Sequence, residues 1–256
     1  MDQRDTFDGV ADHYAAARPA YPAALYAELA ALGALGADTR ALEVGCGAGQ
    51  ATADLARRAA SLVAVDPGAN LVAEARARAA GLPVEFVVAR FEDFEAPPGA
   101  FDLVASAQAW HWVPAEIGFP KAARLLRPGG WLAVFAHVMP PLGSALPETV
   151  RPIVEEALPG AWTRPHPSSG YRLSGPLPGL FAAAGDFEPP VHRAFGFDVE
   201  MSPALFGRYL RTVSDYHVLP DAERFAFFDR VTEALAQTDG AYRGRWETQL
   251  HAAQRR

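Results

Sequence analysis

The chain has 256 residues, half of them hydrophobic, and a formal charge of −7. This length and apolar content fit one large α/β domain with insertions, and the acidic balance argues against a general nucleic-acid or membrane-surface binder. A lone cysteine, Cys46, excludes an intrachain disulfide. Met1 to Asp5 carry no apolar signal region and no apolar run reaches membrane-spanning length, so a cytoplasmic protein is expected.

Along the chain, Tyr14 and Arg18 come first, four residues apart and so on one face of a helix. Pro19, Tyr21 and Pro22 follow. Ala23 to Leu35 reads as a helix ended by Gly36 and Asp38. The apolar run Ala41 to Val44 then leads into Gly45, Gly47 and Gly49, with Cys46 and Ala48 between them and Gln50 after. An alanine-rich helix is expected over Ala51–Ala60. This is strand, tight turn, helix, and the unpaired N–H groups at the helix start give the turn a positive edge. The dinucleotide fingerprint G-x-G-x-x-G would need a third glycine where Gln50 stands. Glu43, at the end of the strand, would repel a pyrophosphate and suits a cationic ligand. Leu62 to Asp66 is a second strand ending in an acid, about twenty residues after Gly45, where a βαβ unit carries its ribose-binding carboxylate.

Asp66-Pro67-Gly68 is a turn, Ala69–Ala80 a helix, and Val84–Val88 a third strand followed by Phe91 and Glu92. Phe101–Ser106 is a fourth strand. Just past it come Gln108, Ala109, Trp110, His111 and Trp112, at the strand end where open α/β sheets bind ligands. An alternating segment there puts both tryptophans on one side. A helix over Pro114–Leu126, a turn at Arg127–Gly130 and a strand over Trp131–Phe135 bring the chain to His137. Pro140 to Pro178 is rich in proline with interleaved aromatics, including Trp162 and Tyr171, and reads as an ordered insertion. Leu177–Ala184 is a short helix and Val191–Val199 a strand. Ser202-Pro203 starts a helix with serine as N-cap, placing Leu205, Tyr209, Thr212, Val213 and Tyr216 on one side. A helix from Pro220-Asp221 to about Ala236 has the stripe Phe225, Phe228, Val231 and Leu235. Gly240 and Gly244 bracket a turn, and Arg245–His251 is the last strand.

Leu42–Gln50 resembles the first motif of the class I S-adenosylmethionine-dependent methyltransferases, and Val65-Asp66 resembles their ribose-binding acid. Tyr14–Pro22 matches the Y-x-x-x-R-P-x-Y-P segment of many small-molecule members, and Leu126–Gly130 their L-R-P-G-G turn. The type is similar to trans-aconitate methyltransferase-like enzymes, and the likeness runs from about Phe7 to Phe135. It implies a Rossmann-like α/β fold: a seven-stranded, mostly parallel sheet with the last strand antiparallel, helices on both faces and helical cap insertions. It also implies one methyltransferase domain over 1–256. Within it, 1–40 form a lid and first helix, 41–136 the cofactor-binding core, and 140–171 with 202–239 the cap.

By the same resemblance, S-adenosylmethionine is the cofactor. Tyr14, Arg18, Glu43, Gly45, Cys46, Gly47, Gly49, Gln50, Asp66, Pro67, Phe91, Glu92, Gln108 and Ala109 are its expected contacts. Arg18 would face the methionine carboxylate and Phe91 the adenine, although Arg90 stands where many relatives have an aspartate. His111 and His137 are the candidate catalytic bases, because imidazole titrates near neutrality. Tyr21, Trp110, Trp112, Arg211 and Tyr216 are the expected acceptor contacts, and Arg172, Tyr171 and His217 are further cap residues that could hold an anion. No metal is expected: the seven histidines are scattered and no H-E-x-x-H occurs. The expected function is methyl transfer to a carboxylate or hydroxyl oxygen of a small molecule, by a monomer or homodimer with no nucleic-acid or membrane partner. The alternatives are a cofactor-binding protein without turnover and a dinucleotide-dependent oxidoreductase.

Overall fold

The computed structural model describes residues 18–165, 167–212, 219–238 and 240–256. Seven strands form one sheet: β1 (Arg40–Val44), β2 (Ser61–Asp66), β3 (Val84–Val88), β4 (Phe101–Ala107), β5 (Leu126–Val138), β6 (Val191–Met201) and β7 (Tyr242–Gln254). Their order is β3-β2-β1-β4-β5-β7-β6. The first five strands pair in parallel, and β7 runs antiparallel to both neighbours. Central strands read as continuous apolar runs because both faces are covered. Leu42, Ala64, Val104, Ala105 and Val134 are all fully buried.

Helices α1 (Ala23–Ala31) and α2 (Thr52–Ala56) contribute to the apolar layer on one face, through Leu25, Leu29 and Leu55 packed with Phe135 and Leu250. Helix α3 (Ala69–Arg78) packs through Val72 and Ala75 against Ala64 of β2. The other main layer holds α4 (Ala115–Leu125) and α6 (Leu177–Ala184), with Phe119 and Phe181 against Val104 and Leu132. A third apolar cluster joins the two insertions. There α5 (Arg151–Ala157), α7 (Pro203–Leu210) and α8 (Asp221–Gln237) pack Val154, Phe206 and Phe228 around Trp246 of β7. The chain leaves β1 to one side for β2 and returns on the other for β4. This reversal is where open parallel sheets leave a crevice at their carboxyl ends.

Several expected boundaries move. β5 starts at Leu126, not Trp131, because Arg127 to Gly130 join the strand as a bulge. The pairs on either side of it are Phe101 with Leu126 and Leu103 with Trp131, so β5 carries the extra residues. Gly129 turns there with φ +72°. Helix α2 is shorter than expected, and β7 begins at Tyr242, so Gly244 pairs with Val199 instead of turning. The buried stripe of α8 is Phe227, Phe228, Val231 and Leu235. Phe225 is 39% exposed, and its ring lies against the guanidinium groups of Arg211 and Arg224. The expected cap at Ser202 is present: its hydroxyl accepts from the Leu205 N–H at 3.3 Å. Among the described residues, no helix is long and apolar enough to cross a membrane.

Candidate functional site

The loop after β1 is a place where the backbone must come close. Gly45 has φ +72°, and a Cβ there would lie 2.2 Å from the Cβ of Ala109. Gly49 has φ +84°, and its Cβ would lie 3.0 Å from the Cα of Ala75. Only glycine meets both demands at little cost. The loop is tied to β2 by the Gly45 N–H, which donates to the Val65 carbonyl at 2.8 Å. Asp66 closes the arrangement. One carboxylate oxygen accepts from the Gly47 N–H at 2.9 Å and the other from the Gly68 N–H at 2.8 Å. Two backbone donors therefore hold this side chain in one orientation.

A cavity of about 670 Å³ opens over the carboxyl ends of β1, β2 and β4. Gly45, Gly47, Asp66, Pro67 and Leu71 line one wall, and Arg90, Phe91 and Glu92 continue it. Gln108, Ala109, Trp110, His111 and Trp112 lie at the end of β4. Arg18, Ser168, Gly170, Tyr171 and Tyr209 close it from the insertions and the N-terminal side. Gln108 adopts φ +59°, a left-handed conformation that few side chains favour. Its N–H donates to the Phe135 carbonyl at 2.8 Å, and its side-chain oxygen accepts from the His137 N–H at 3.0 Å. This kink redirects the chain into a short 3-10 turn over Trp110–Trp112. The two tryptophans therefore do not share a side. Trp110 is 3% exposed and packs in the core with Phe119 and Phe91, while Trp112 is half-buried.

His111 sits on that turn. Its Nδ1 lies 2.7 Å from the Tyr171 hydroxyl, and its backbone N–H donates to the same oxygen at 3.3 Å. Arg18 reaches across the chain: its Nη2 donates to the Thr212 carbonyl at 2.7 Å and its Nε to the Thr212 hydroxyl at 3.2 Å. It also lies over the Tyr209 ring.

Other expected site residues are placed elsewhere. His137 is 4% exposed and does not line the cavity. Its ring stacks on Tyr21, with Thr248 bonded at Nδ1 and the Pro19 carbonyl at Nε2. Burial, with a smaller contribution from Arg18, lowers its pKa to about 3, so it is no base near neutrality. Tyr21 is buried in the same stack and against Phe135, away from an acceptor. Arg211 pairs with Asp229 at 2.8 Å outside the cavity. Arg172 pairs with Glu247. Cys46, Gly49 and Gln50 shape the loop without lining the cavity, and burial pushes the Cys46 thiol well above its ordinary range. Tyr14, Tyr216 and His217 lie outside the described residues. Tyr209 and Ser168 also line the cavity. Tyr209 reads in sequence as one member of a helix stripe, and Ser168 carries no signal.

Glu43 is fully buried beneath the glycine loop, and neither carboxylate oxygen has a hydrogen bond of normal geometry. Burial pushes its pKa up to about 8; a nearby Thr52 hydroxyl offsets part of this, and Asp66 adds to it. The carboxyl is therefore held protonated near neutrality, beneath a turn that excludes side chains and lets a ligand approach the main chain. A braced aspartate beside the same turn suits a diol. The turn and the aspartate fit what S-adenosylmethionine would require. Among the described residues, no group of His, Cys, Asp and Glu is arranged to hold a metal.

Comparison with known proteins agrees with this geometry. A methyltransferase domain family matches residues 42–134. An uncharacterised methyltransferase of Mycobacterium tuberculosis is 34% identical over 130 residues, covering 50% of this chain and 51% of its own. A second one from that organism is 37% identical over 106 residues, covering 41% and 54%. The chain thus spans about half the length of the curated relatives it matches. Over nearly its whole length it superposes on a candidate type II methyltransferase from Anaeromyxobacter dehalogenans, with a TM-score of 0.63, 26% identity and coverage of 93% and 97%. The YcgJ protein of Bacillus subtilis shares the fold at a TM-score of 0.54, with 16% identity and coverage of 91% and 97%. With the strand order, the glycine turn and Asp66 in register, residues 42–134 carry a methyltransferase domain, set in a chain that has the Rossmann-like α/β fold of its methyltransferase neighbours.

Proposed function

We propose that the chain binds S-adenosylmethionine in this cavity and catalyses methyl transfer to an oxygen of a small-molecule acceptor, a carboxylate or a hydroxyl. The observation that carries the reading is the Asp66 carboxylate, braced beside a turn where any side chain at position 45 would collide with Ala109. The bound cofactor supplies a methyl group already activated on a sulfonium.

What remains for the chain is binding, alignment and exclusion of water. Each carboxylate oxygen of Asp66 can accept more than one hydrogen bond. The carboxylate would take the ribose hydroxyls. Leu71 and Phe91 offer apolar faces for the base, with Glu92 at the rim. Gly45 and Gly47 let the ligand approach the main chain. Arg18 would meet the carboxylate of the methionine part while its bonds to Thr212 join the N-terminal segment to the cap. Trp112, Tyr171 and Tyr209 shield the cavity, which favours a transition state of dispersed charge. A cavity of this size is within the usual range of small-molecule sites. The net charge of −7 also disfavours a nucleic-acid acceptor.

Calorimetric titration tests the reading. S-adenosylhomocysteine should bind and NAD should not. Labelled cofactor offered with a panel of small acids and alcohols should then label at least one. NAD binding without S-adenosylhomocysteine binding would contradict it. Binding without transfer to any acceptor would favour a cofactor-binding protein.

A further inference from the structure

The His111 ring projects from a single 3-10 turn, a weak anchor for a group that meets an acceptor. Tyr171 adds a constraint from another part of the chain. Its ring stands edge-on to the imidazole, with centroids 5.8 Å apart, and its hydroxyl touches both the ring Nδ1 and the backbone N–H of His111. Tyr171 is buried, which raises the pKa of its hydroxyl, so the phenol stays protonated.

That proton needs an acceptor. The backbone N–H of His111 is a donor and cannot take it. Among the described residues, His111 Nδ1 is the one acceptor within reach of the Tyr171 hydroxyl. A buried hydroxyl left without an acceptor would forfeit its hydrogen bond at a real cost. The phenol therefore donates to Nδ1. A neutral imidazole that accepts at Nδ1 carries its own proton on Nε2.

Tyr171 is itself fastened to the sheet. Its carbonyl accepts from the Nε2 of His251 on β7 at 2.8 Å. The next residue, Arg172, pairs with Glu247 on the same strand. Ser168, three residues before, accepts from the Met139 N–H at the end of β5. The turn Pro167–Tyr171 is thus held at the ends of two strands, and the hydroxyl is presented from a fixed backbone.

We propose that Tyr171 is a positioning residue that locks His111 with its ring proton on Nε2. His111 then meets the acceptor as a hydrogen-bond donor to an oxygen that is already anionic, and not as the base that deprotonates it. An anionic oxygen has no proton to lose, so no base is required. The acceptor half of this inference rests on the methyl-transfer reading; the tautomer half is a property of the chain alone.

Nitrogen NMR of ring-labelled histidine in the ligand-free protein tests the tautomer, with His111→Gln identifying the signal. The neutral ring should show a protonated Nε2 and a bare Nδ1. Tyr171→Phe, which keeps the ring and removes the hydroxyl, should lower the share of His111 rings protonated on Nε2. A proton on Nδ1 in the unaltered protein overturns the proposal whether or not methyl transfer is found. In turnover assays, Tyr171→Phe should raise the KM for an anionic acceptor by roughly 3–10-fold, the loss of one hydrogen bond's worth of orientation, with a small change in kcat. The kcat/KM profile should lack a rising limb with an imidazole midpoint. Such a limb, present in the unaltered protein and absent in His111→Gln, would show a base and overturn the donor role. Absence of all turnover would count against methyl transfer, while the tautomer measurement would still decide the role of Tyr171.

Discussion

The two walls of the cavity are built by different means. The wall carrying Gly45, Gly47 and Asp66 comes from one strand–turn–helix–strand unit. Its contacts are mostly backbone, and its key side chain is held by N–H groups of the turns at the ends of β1 and β2. The opposite wall is assembled from distant pieces. His111 meets Tyr171 from another part of the chain, and Arg18 meets Thr212 across almost the whole of it. The first wall follows from local conformational rules that any chain with these residues must obey. The second depends on how a proline-rich insertion and the α7 segment happen to pack. This contrast fits the comparisons, in which the family match covers residues 42–134 and leaves the insertions outside.

The most disruptive way to probe the contrast is at the backbone wall. Gly45→Ala puts a methyl into Ala109 in a left-handed conformation. Overpacking and the unfavourable φ together should lower the unfolding free energy by ~2–5 kcal/mol in urea titrations. Ala109→Gly in the same chain should restore the part due to the collision and leave the part due to φ. If the double variant is no more stable than Gly45→Ala, the close approach is not what constrains this position.

A smaller effect should come from the two buried titratable groups beside the walls. Glu43 has its folded pKa raised from 4.5 to about 8. Its contribution to stability is present below pH 4.5 and is lost as pH rises towards 8. His137 has its folded pKa lowered from 6.5 to about 3. Its contribution is present above pH 6.5 and is lost as pH falls towards 3. Each slope is about 1.4 kcal/mol per pH unit, with opposite sign, so between pH 4.5 and 6.5 the two offset. Glu43→Gln should therefore leave a stability that rises with pH across that window, and His137→Gln one that falls. Parallel curves for the two variants would mean that neither group titrates as its burial requires.

Smallest of all should be Arg211→Ala. Its pair with Asp229 is partly exposed and lies outside the cavity, so stability should fall by less than ~1 kcal/mol. The KM for any acceptor should stay within about twofold, given that a lost contact costs at least ~0.5 kcal/mol. A large rise in KM would return Arg211 to the site.

The same division explains what the sequence made legible. The strand order, the glycine turn and the position of Asp66 follow from apolar runs, alternate glycines and an acid at a strand end. Trp110–Trp112 do not alternate as the sequence suggests, because the kink before them is made by Gln108, which gives no sign in the sequence of adopting a positive φ. The sequence places His137 just past a strand ending at Phe135, as a candidate base beside His111. In the structure β5 continues to Val138, where Thr248 of β7 and the Tyr21 ring cover it. Arg211 could be placed in the cap, but not opposite Asp229, since that depends on how α8 is set against α7. The contact of Tyr171 with His111 was invisible for a similar reason: it needs the path of the whole insertion.

On the proposed function, one wall holds the cofactor and the other serves the acceptor. Calorimetric titration of S-adenosylhomocysteine into the unaltered protein, Asp66→Asn and Tyr171→Phe tests it in one series. Removing the Asp66 charge should weaken binding by ~1–3 kcal/mol, the worth of hydrogen bonds to a charged group, with the fold retained. Tyr171→Phe should leave the affinity within about twofold of the unaltered protein, below the ~0.5 kcal/mol of a single lost hydrogen bond. Equal losses in both variants, or a loss in Tyr171→Phe alone, would contradict the division.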